Sequence, residues 1–335
     1  MPPLTDRRHA FRVVLGLLVP GLLLLVAGRP ELILYAVFGS FAGMYGRLEA
    51  PRERLRHQFH GAGMLVTGVG LGTALSHGHV PAAGLVLAIT AFATIGSLVT
   101  DRLRLRPGGP FFGIFALGAT ATVAPGLVSL WGALAICAGT AVWCMALGMS
   151  VGTTEDAHDE GLGTLPPGAV VHALRYALAT AAAGLAGTAL GLDHANWAMA
   201  AAAVPLAVVS AGEPVELAAV VHRAVHRVGG TLVGLMATAL ILLLEPSPTL
   251  LAAAVMVLLF PTELFMSRHY GVALGFFTPL IMLMTELAAP SEPVTMLVAR
   301  GVDTVIGVAA GVAAAALVRG TRGITQEDRS RQWAV

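Results

Sequence analysis

The sequence contains no lysine, few charged residues and two cysteines. Only 12% of its 335 residues are charged, about half of the roughly 25% found in soluble domains, which argues against a soluble globular fold. The formal net charge of +1 leaves no concentrated basic surface of the kind that nucleic acid binding needs. Because the nucleotide-binding P-loop motif requires a lysine, the sequence also excludes ATP hydrolysis through such a motif.

The cysteines and histidines do not indicate a metal site or a disulfide. Cys137 and Cys144 are seven residues apart in one apolar segment, which on a helix separates them by about 10 Å of rise, too far for a disulfide bond. We expect both to be buried core residues. His77 and His79 flank one glycine but have no further nearby ligands. The sequence therefore predicts no metal site and no cofactor.

Hydrophobic residues make up 56% of the chain, and its mean hydropathy is +0.79. They form twelve apolar segments that are long enough to cross a bilayer, which takes about 20 residues as a helix. We therefore predict an all-α polytopic membrane protein with about twelve transmembrane helices. The segments lie near residues 10–28, 31–47, 59–76, 81–100, 109–125, 127–150, 169–190, 195–211, 224–244, 247–266, 271–288 and 293–318.

The arginines predict the orientation of these helices. Basic residues concentrate at the cytoplasmic ends of transmembrane segments. With the N-terminus inside, eighteen of the twenty arginines fall at inner ends, whereas Arg29 lies outside and Arg300 falls within a helix. We therefore predict a protein of the bacterial inner membrane with both termini in the cytoplasm.

The first six and the last six segments resemble each other. His9-Ala10-Phe11-Arg12 opens the first segment, His172-Ala173-Leu174-Arg175 opens the seventh, and Pro81 and Pro248 open the two fourth segments. An even number of helices gives both copies the same orientation, so we predict two parallel six-helix repeats. The predicted domains are a first repeat (1–152), an acidic cytoplasmic linker (153–168), a second repeat (169–320) and a cytoplasmic tail (321–335).

One pattern occurs twice where apolar helices begin. Residues 227–234 read R-x-x-G-T-x-x-G, and residues 300–307 read R-x-x-D-T-x-x-G. In each, the arginine, threonine and last glycine share one helical stripe. Small residues let helices approach closely, and the threonine can bond across the interface or back to its own helix. The arginine therefore projects from a tightly packed seam.

These motifs resemble those of the fusaric acid resistance and aromatic acid exporter family. Its membrane module carries an R-x-x-G-T-x-x-G helix, a later Arg-x-Tyr stretch and a closing R-x-x-[acid]-T-x-x-G helix. This chain has them at residues 227–234, 268–270 and 300–307. The plant aluminium-activated malate transporters look like distant relatives with a similar six-helix unit. The resemblance covers residues 169–320 well and 9–150 only weakly.

The resemblance implies export of small organic anions, aromatic carboxylates above all. Arginine is a natural partner for a carboxylate because its planar fork donates two parallel hydrogen bonds. We therefore expect a substrate-binding group at residues of the three motifs. Its predicted members are Arg300, Thr304, Arg227, Thr231 and Tyr270.

Asp303 and Glu263 are the predicted proton-coupling residues. A charged residue at a helix centre costs about 2.5–3.5 kcal/mol on the insertion scale, so it marks a functional candidate. When an incoming anion takes the place of Asp303 beside Arg300, the released Asp303 carboxylate could accept a proton. The structural alternatives are that Arg300 and Asp303 neutralise each other, and that Glu263 pairs with Arg268 at the interface. All eleven histidines are expected in loops or at helix ends, which argues against a histidine relay.

We therefore predict an efflux transporter for small organic anions, driven by the proton motive force, and not an enzyme. Its expected partners are the anion and the lipid bilayer, and a homodimer is also considered. A passive organic-anion channel shares these features and stays an alternative. A further alternative is a membrane-embedded, Mg-dependent prenyltransferase-type enzyme, suggested by the acidic run at residues 155–160. Such enzymes need two acidic clusters facing one cavity, whereas the sequence has one.

Overall fold

The computed structural model describes residues 4–47, 49–150, 164–192 and 194–318. In these residues the chain forms twelve α-helices and no strand, which confirms an all-helical protein. Most of the predicted linker, its acidic run and the predicted tail lie outside them. The helices are α1 (Leu4–Val26), α2 (Ile33–Ser40), α3 (Pro51–His77), α4 (Ala82–Leu103), α5 (Phe111–Ala121), α6 (Leu130–Met149), α7 (Ala169–Ala189), α8 (Ala195–Leu206), α9 (Leu217–Leu242), α10 (Pro248–Met266), α11 (Tyr270–Ala288) and α12 (Pro293–Leu317). Two 3₁₀ turns, Pro30–Leu32 and Phe41–Met44, flank α2.

Serine caps fix where two of the helices begin. The Ser129 hydroxyl accepts a hydrogen bond from the Gly132 N–H at 3.1 Å before α6. Ser247 does the same for the Leu250 N–H at 3.4 Å before α10. Each bond satisfies one of the N–H groups that the first helical turn leaves without a partner. These caps help to determine where α6 and α10 begin.

Eight helices in the described part of the chain are long and apolar enough to cross a bilayer: α1 from Arg7 onward, α4, α6, α7 and α9 to α12. This confirms a membrane protein. Three predicted spans are shorter, namely Pro30–Met44, Phe111–Ala121 and Ala195–Leu206. The 12 residues of α8 give a helix of about 18 Å, whereas the hydrocarbon core is about 30 Å thick. These three segments therefore form shorter helices than the sequence predicts, and the eight longer helices are the spans that length and composition support.

The short helices are apolar because they are enclosed by protein. Every residue of α2 and α8 is buried, as are nine of the 11 residues of α5. The longer α11 is also enclosed: 72% of the residues in its most apolar stretch are buried, whereas 28% are buried in the corresponding stretches of α4 and α6. Hydropathy does not distinguish these two environments. We call α2, α5, α8 and α11 the inner layer, and the other eight helices surround it.

The same helix pairings occur in α1–α6 and in α7–α12. In the first set α1, α2 and α6 contact one another, and α5 contacts both α3 and α4. In the second set α7, α8 and α12 contact one another, and α11 contacts both α9 and α10. The two sets meet through α1 with α10, α4 with α7, α2 with α11 and α5 with α8. The contact of α1 with α10 therefore corresponds to that of α7 with α4, and the contact of α2 with α11 corresponds to that of α8 with α5.

Candidate functional site

A pocket of about 600 Å³ lies where the two sets of helices meet. Its lining includes four arginines, namely Arg47, Arg106, Arg223 and Arg227. The two carboxylates in the lining are Glu49 and Glu263. Four cations against two anions give the pocket an excess of positive charge. We call the end of the bundle at which this pocket lies the arginine end.

Four helix ends also meet at the pocket. Two of these ends are N-termini, since Phe111 begins α5 and Tyr270 begins α11. The other two are C-termini: Met44 ends the 3₁₀ turn after α2, and Ala207 directly follows α8. Helix N-termini carry partial positive charge and C-termini partial negative charge. With two ends of each kind, these dipoles oppose one another. The excess positive charge of the pocket therefore comes from its arginines, and this charge attracts an anion.

Aromatic rings form the apolar part of the lining. The rings of Phe112 and Phe277 are 6.5 Å apart between centroids and nearly perpendicular. The Cζ atom of Arg223 lies 3.3 Å above the Tyr270 ring, and that of Arg227 lies 5.3 Å from the Phe111 centroid. A guanidinium that is attracted to a ring still has N–H groups to donate to a carboxylate. The pocket thus combines flat apolar surface with planar hydrogen-bond donors.

His9 and Glu263 connect α1 to α10 in the pocket wall. His9 Nε2 lies 3.4 Å from Glu263 Oε2, and Arg12 Nη2 donates to His9 Nδ1 at 3.0 Å. Because Nδ1 accepts this bond, Nε2 is the ring nitrogen that presents a proton to the carboxylate. Glu263 therefore has a partner in His9 across the α1 and α10 interface, a contact that the sequence did not predict.

Sequence reasoning missed His9. The helix-end position of His9 suggested an exposed residue, but its side chain is buried and faces the pocket. The available signal was the repeated His-Ala-x-Arg opening of α1 and α7, which marks a buried pair at each site. His172 and Arg175 of α7 are likewise buried.

The pocket brings together three of the seven predicted site residues, Arg227, Tyr270 and Glu263. The other four do not line it. Arg300, Asp303, Thr304 and Thr231 are all buried between α8, α9 and α12. The structure therefore divides the predicted residues between an open pocket and an enclosed cluster.

The enclosed cluster contains charges that do not hydrogen-bond to each other. Within the described residues, neither carboxylate oxygen of Asp303 and neither Nε nor Nη1 of Arg300 has a hydrogen-bond partner. The Arg300 Cζ atom lies 5.1 Å from the Trp197 ring and 5.8 Å from the Phe115 ring. Thr304 donates its hydroxyl to the Arg300 carbonyl at 2.8 Å. Arg300 and Asp303 are thus close enough for their opposite charges to interact, but the Asp303 oxygens accept no hydrogen bond in the described structure.

The motif glycines explain how the helices come close enough to enclose these groups. A Cβ atom at Gly230 of α9 would lie 2.5 Å from the Gly271 carbonyl oxygen, and one at Gly307 of α12 would lie 2.1 Å from the Ala198 carbonyl oxygen. Only glycine allows such backbone contact. The seam predicted from the motifs is therefore present on both α9 and α12.

These features define a polytopic helical membrane protein with an anion-attracting pocket. Residues 180–314 match the family model described as fusaric acid resistance protein-like. The match runs from within α7 to within α12 and confirms the family resemblance that the motifs predict. Comparisons with curated proteins and with solved structures gave no significant match. This match and the eight long apolar helices together indicate a membrane protein that is similar to this family over residues 180–314.

Proposed function

We propose that this protein exports small organic anions, aromatic carboxylic acids in particular, and that the anion first binds in the pocket at the arginine end. The observation that carries the proposal is the convergence of four arginines and four aromatic rings on one cavity. Guanidinium groups suit the planar carboxylate. The rings suit the flat apolar body of an aromatic acid.

We propose that the arginine end faces the cytoplasm of the bacterial inner membrane, with both termini on that side. The concentration of arginines in the pocket and its surroundings supports this orientation. A cavity lined by one sign of charge also raises the local concentration of the oppositely charged substrate. Cytoplasmic anions would therefore reach a pocket that already favours them.

We further propose that the chain is two parallel six-helix repeats that together provide twelve crossings. The recurrence of the same helix pairings, including those between the two sets, supports this arrangement. Short inner-layer helices are compatible with a crossing because irregular backbone is tolerated where protein surrounds it. A fusion of two units provides within one chain the symmetry that separate units reach by dimerising. A homodimer of the whole chain stays a proposal for measurement in detergent.

The proposed driving force is the proton motive force, with Asp303 and Glu263 as the coupling residues. An anion leaving a negative interior gains about 2.3 kcal/mol per charge for every 100 mV. A proton that moves inward in exchange for the anion adds one further charge that moves in the favourable direction. Two carboxylates on the route would therefore determine how much of the electrical potential is used. The separation of the Arg300 cluster from the pocket favours a carrier over an open channel.

The test uses inside-out vesicles that contain purified protein in defined lipid. Uptake of labelled 4-hydroxybenzoate is followed with an imposed pH gradient while the membrane potential is held at zero, and again after the gradient is dissipated. Uphill uptake that stops on dissipation supports the exporter. Flux that runs only downhill supports the channel, and no flux of any aromatic acid removes the substrate class.

A further inference from the structure

Buried side chains beyond the pocket leave many polar atoms without partners. Within the described residues, Arg300 Nε and Nη1, Thr231 Oγ1, Trp197 Nε1 and both amide atoms of Asn196 have no hydrogen-bond partner. The two oxygens of Asp303 share this condition. Buried polar groups are nearly always hydrogen-bonded, so a cluster of exceptions indicates an unseen partner.

Two close contacts place these side chains in one layer. Gly307 of α12 packs on Ala198 of α8, and the two helices are parallel. Asp303, one turn before Gly307, therefore lies level with the first turn of α8. Asn196 and Trp197 are in that turn. Gly301 of α12 faces Leu235 of the antiparallel α9. This register puts Thr231, one turn before Leu235, level with Thr304.

The first set of helices closes this layer through α5. A Cβ atom at Gly118 of α5 would lie 3.0 Å from Asn196 Cβ and 3.3 Å from Asn196 Nδ2. One turn earlier on α5, the Phe115 ring lies 5.8 Å from the Arg300 Cζ atom. The unpartnered atoms are thus enclosed between α5 of one set and α8, α9 and α12 of the other.

A pair of stacked rings connects the pocket to this layer. Phe111 and Phe115 are one turn apart on α5, with ring centroids 6.1 Å apart and planes inclined by 9°. Arg227, which lines the pocket, lies over Phe111, whereas Arg300, which does not line it, lies over Phe115. Each ring therefore has its own guanidinium group, one at the pocket and one at the enclosed layer.

We infer that Arg300, Asn196, Trp197 and Thr231 form a second, enclosed binding station for the carboxylate of the transported anion, reached from Arg227 along Phe111 and Phe115. This inference rests on the proposed function. The unpartnered donors are a guanidinium, an amide, an indole N–H and a hydroxyl, and such donors suit a carboxylate. Asp303 provides the opposite charge while the station is empty.

The chain offers a matched pair of variants on one helix. Thr231 and Thr238 of α9 are both buried. The Thr238 hydroxyl donates to the Gly234 carbonyl at 2.8 Å, whereas the Thr231 hydroxyl has no partner in the described structure. Val replaces each hydroxyl at nearly the same volume. Only Thr231→Val removes a donor from the proposed station.

A second pair tests the indole N–H. Trp197→Phe retains a ring beside Arg300 but removes the buried donor. Trp131→Phe makes the same change at a side chain that is 78% exposed. This pair keeps the inference testable if Thr231→Val fails to fold, which its thermal unfolding and size-exclusion profile would reveal.

Two measurements separate the stations: equilibrium binding of labelled 4-hydroxybenzoate to solubilised protein, and its flux into inside-out vesicles. Loss of one hydrogen bond at the enclosed station should lower flux about tenfold for Thr231→Val and Trp197→Phe. Because the pocket is intact, binding should stay within about twofold of the unaltered protein by the same measure. Thr238→Val and Trp131→Phe should change neither.

Unaltered flux in folded Thr231→Val and Trp197→Phe would overturn the inference, because water alone would then fill the layer. A loss of binding as strong as the loss of flux would also overturn it, because one site would then explain both. If the unaltered protein neither binds nor transports the anion, the proposed function itself fails. These outcomes distinguish the second station from the function on which it rests.

Discussion

His9 Nε2 lies 3.4 Å from Glu263 Oε2, and this contact joins the first set of helices to the second at the wall of the pocket. The corresponding histidine of α7 is His172. Its Nδ1 has no hydrogen-bond partner among the described residues, and its ring packs against Tyr176 with centroids 5.1 Å apart. The two related interfaces therefore differ, since an ionisable pair faces the pocket at the α1 and α10 interface.

We predict that Glu263→Gln strengthens anion binding. The pocket keeps its four arginines after the change and loses one of its two carboxylates. Loss of that negative charge should lower Kd about tenfold. Calorimetric titration with 4-hydroxybenzoate measures this effect.

The matched control for this prediction is His172→Gln, which changes a buried histidine outside the pocket. It should leave the affinity as it is. A Glu263→Gln protein that binds the anion no more tightly than the unaltered protein would contradict the place of Glu263 in the pocket wall.

Arg227→Lys should weaken anion binding by about tenfold to a hundredfold, because a lysine cannot donate the paired hydrogen bonds of a guanidinium. It also loses the guanidinium group that lies over the Phe111 ring. The control is Arg102→Lys, at an exposed position of the same region that does not line the pocket. Equal affinities for the two variants in a binding titration would argue that general positive charge, and not Arg227, holds the anion.

Tyr270 should act through its ring. Tyr270→Phe keeps the surface on which Arg223 lies, so binding should stay within about threefold of the unaltered protein, whereas Tyr270→Leu should weaken it about tenfold through loss of the cation–π contact. The comparison uses the same titration. A larger effect of Phe than of Leu would indicate that the hydroxyl, rather than the ring, contacts the anion.

Gly230→Ala should lower stability by about 1–3 kcal/mol, because the added methyl group meets the backbone of α11. Its neighbour offers the control, since a Cβ atom at Gly229 meets no atom within 4 Å. Gly229→Ala should be neutral or stabilising by up to about 1 kcal/mol through helix propensity. Thermal unfolding in detergent compares them, and equal melting temperatures would contradict the close packing of α9 on α11.

Most of the secondary structure could be predicted from the sequence because apolar runs and their Pro and Ser boundaries are local signals. The predicted start at Pro293 agrees with α12. The lengths of α5 and α8 could not be predicted, because an apolar residue scores alike whether lipid or protein surrounds it. Only the packing of distant segments shows that α8 is enclosed.

The candidate site was predictable in part for a related reason. Arg227 and Arg300 stand out because charge within an apolar helix is costly. Asn196 and Trp197 carry no such signal, since neither is charged and both occur commonly at helix starts and membrane interfaces. Their importance depends on α5 and α12, which are distant in sequence and reach them only in the folded protein.

The enclosure of the inner layer has a consequence for the choice of membrane. A helix that touches lipid must match the thickness of the hydrocarbon region and tilts or distorts it otherwise. Helices α2 and α8 have every residue buried. A difference between helix length and bilayer thickness therefore acts on the outer helices and not directly on these two. Transport should therefore vary little when the protein is reconstituted in phospholipids whose acyl chains differ by a few carbons.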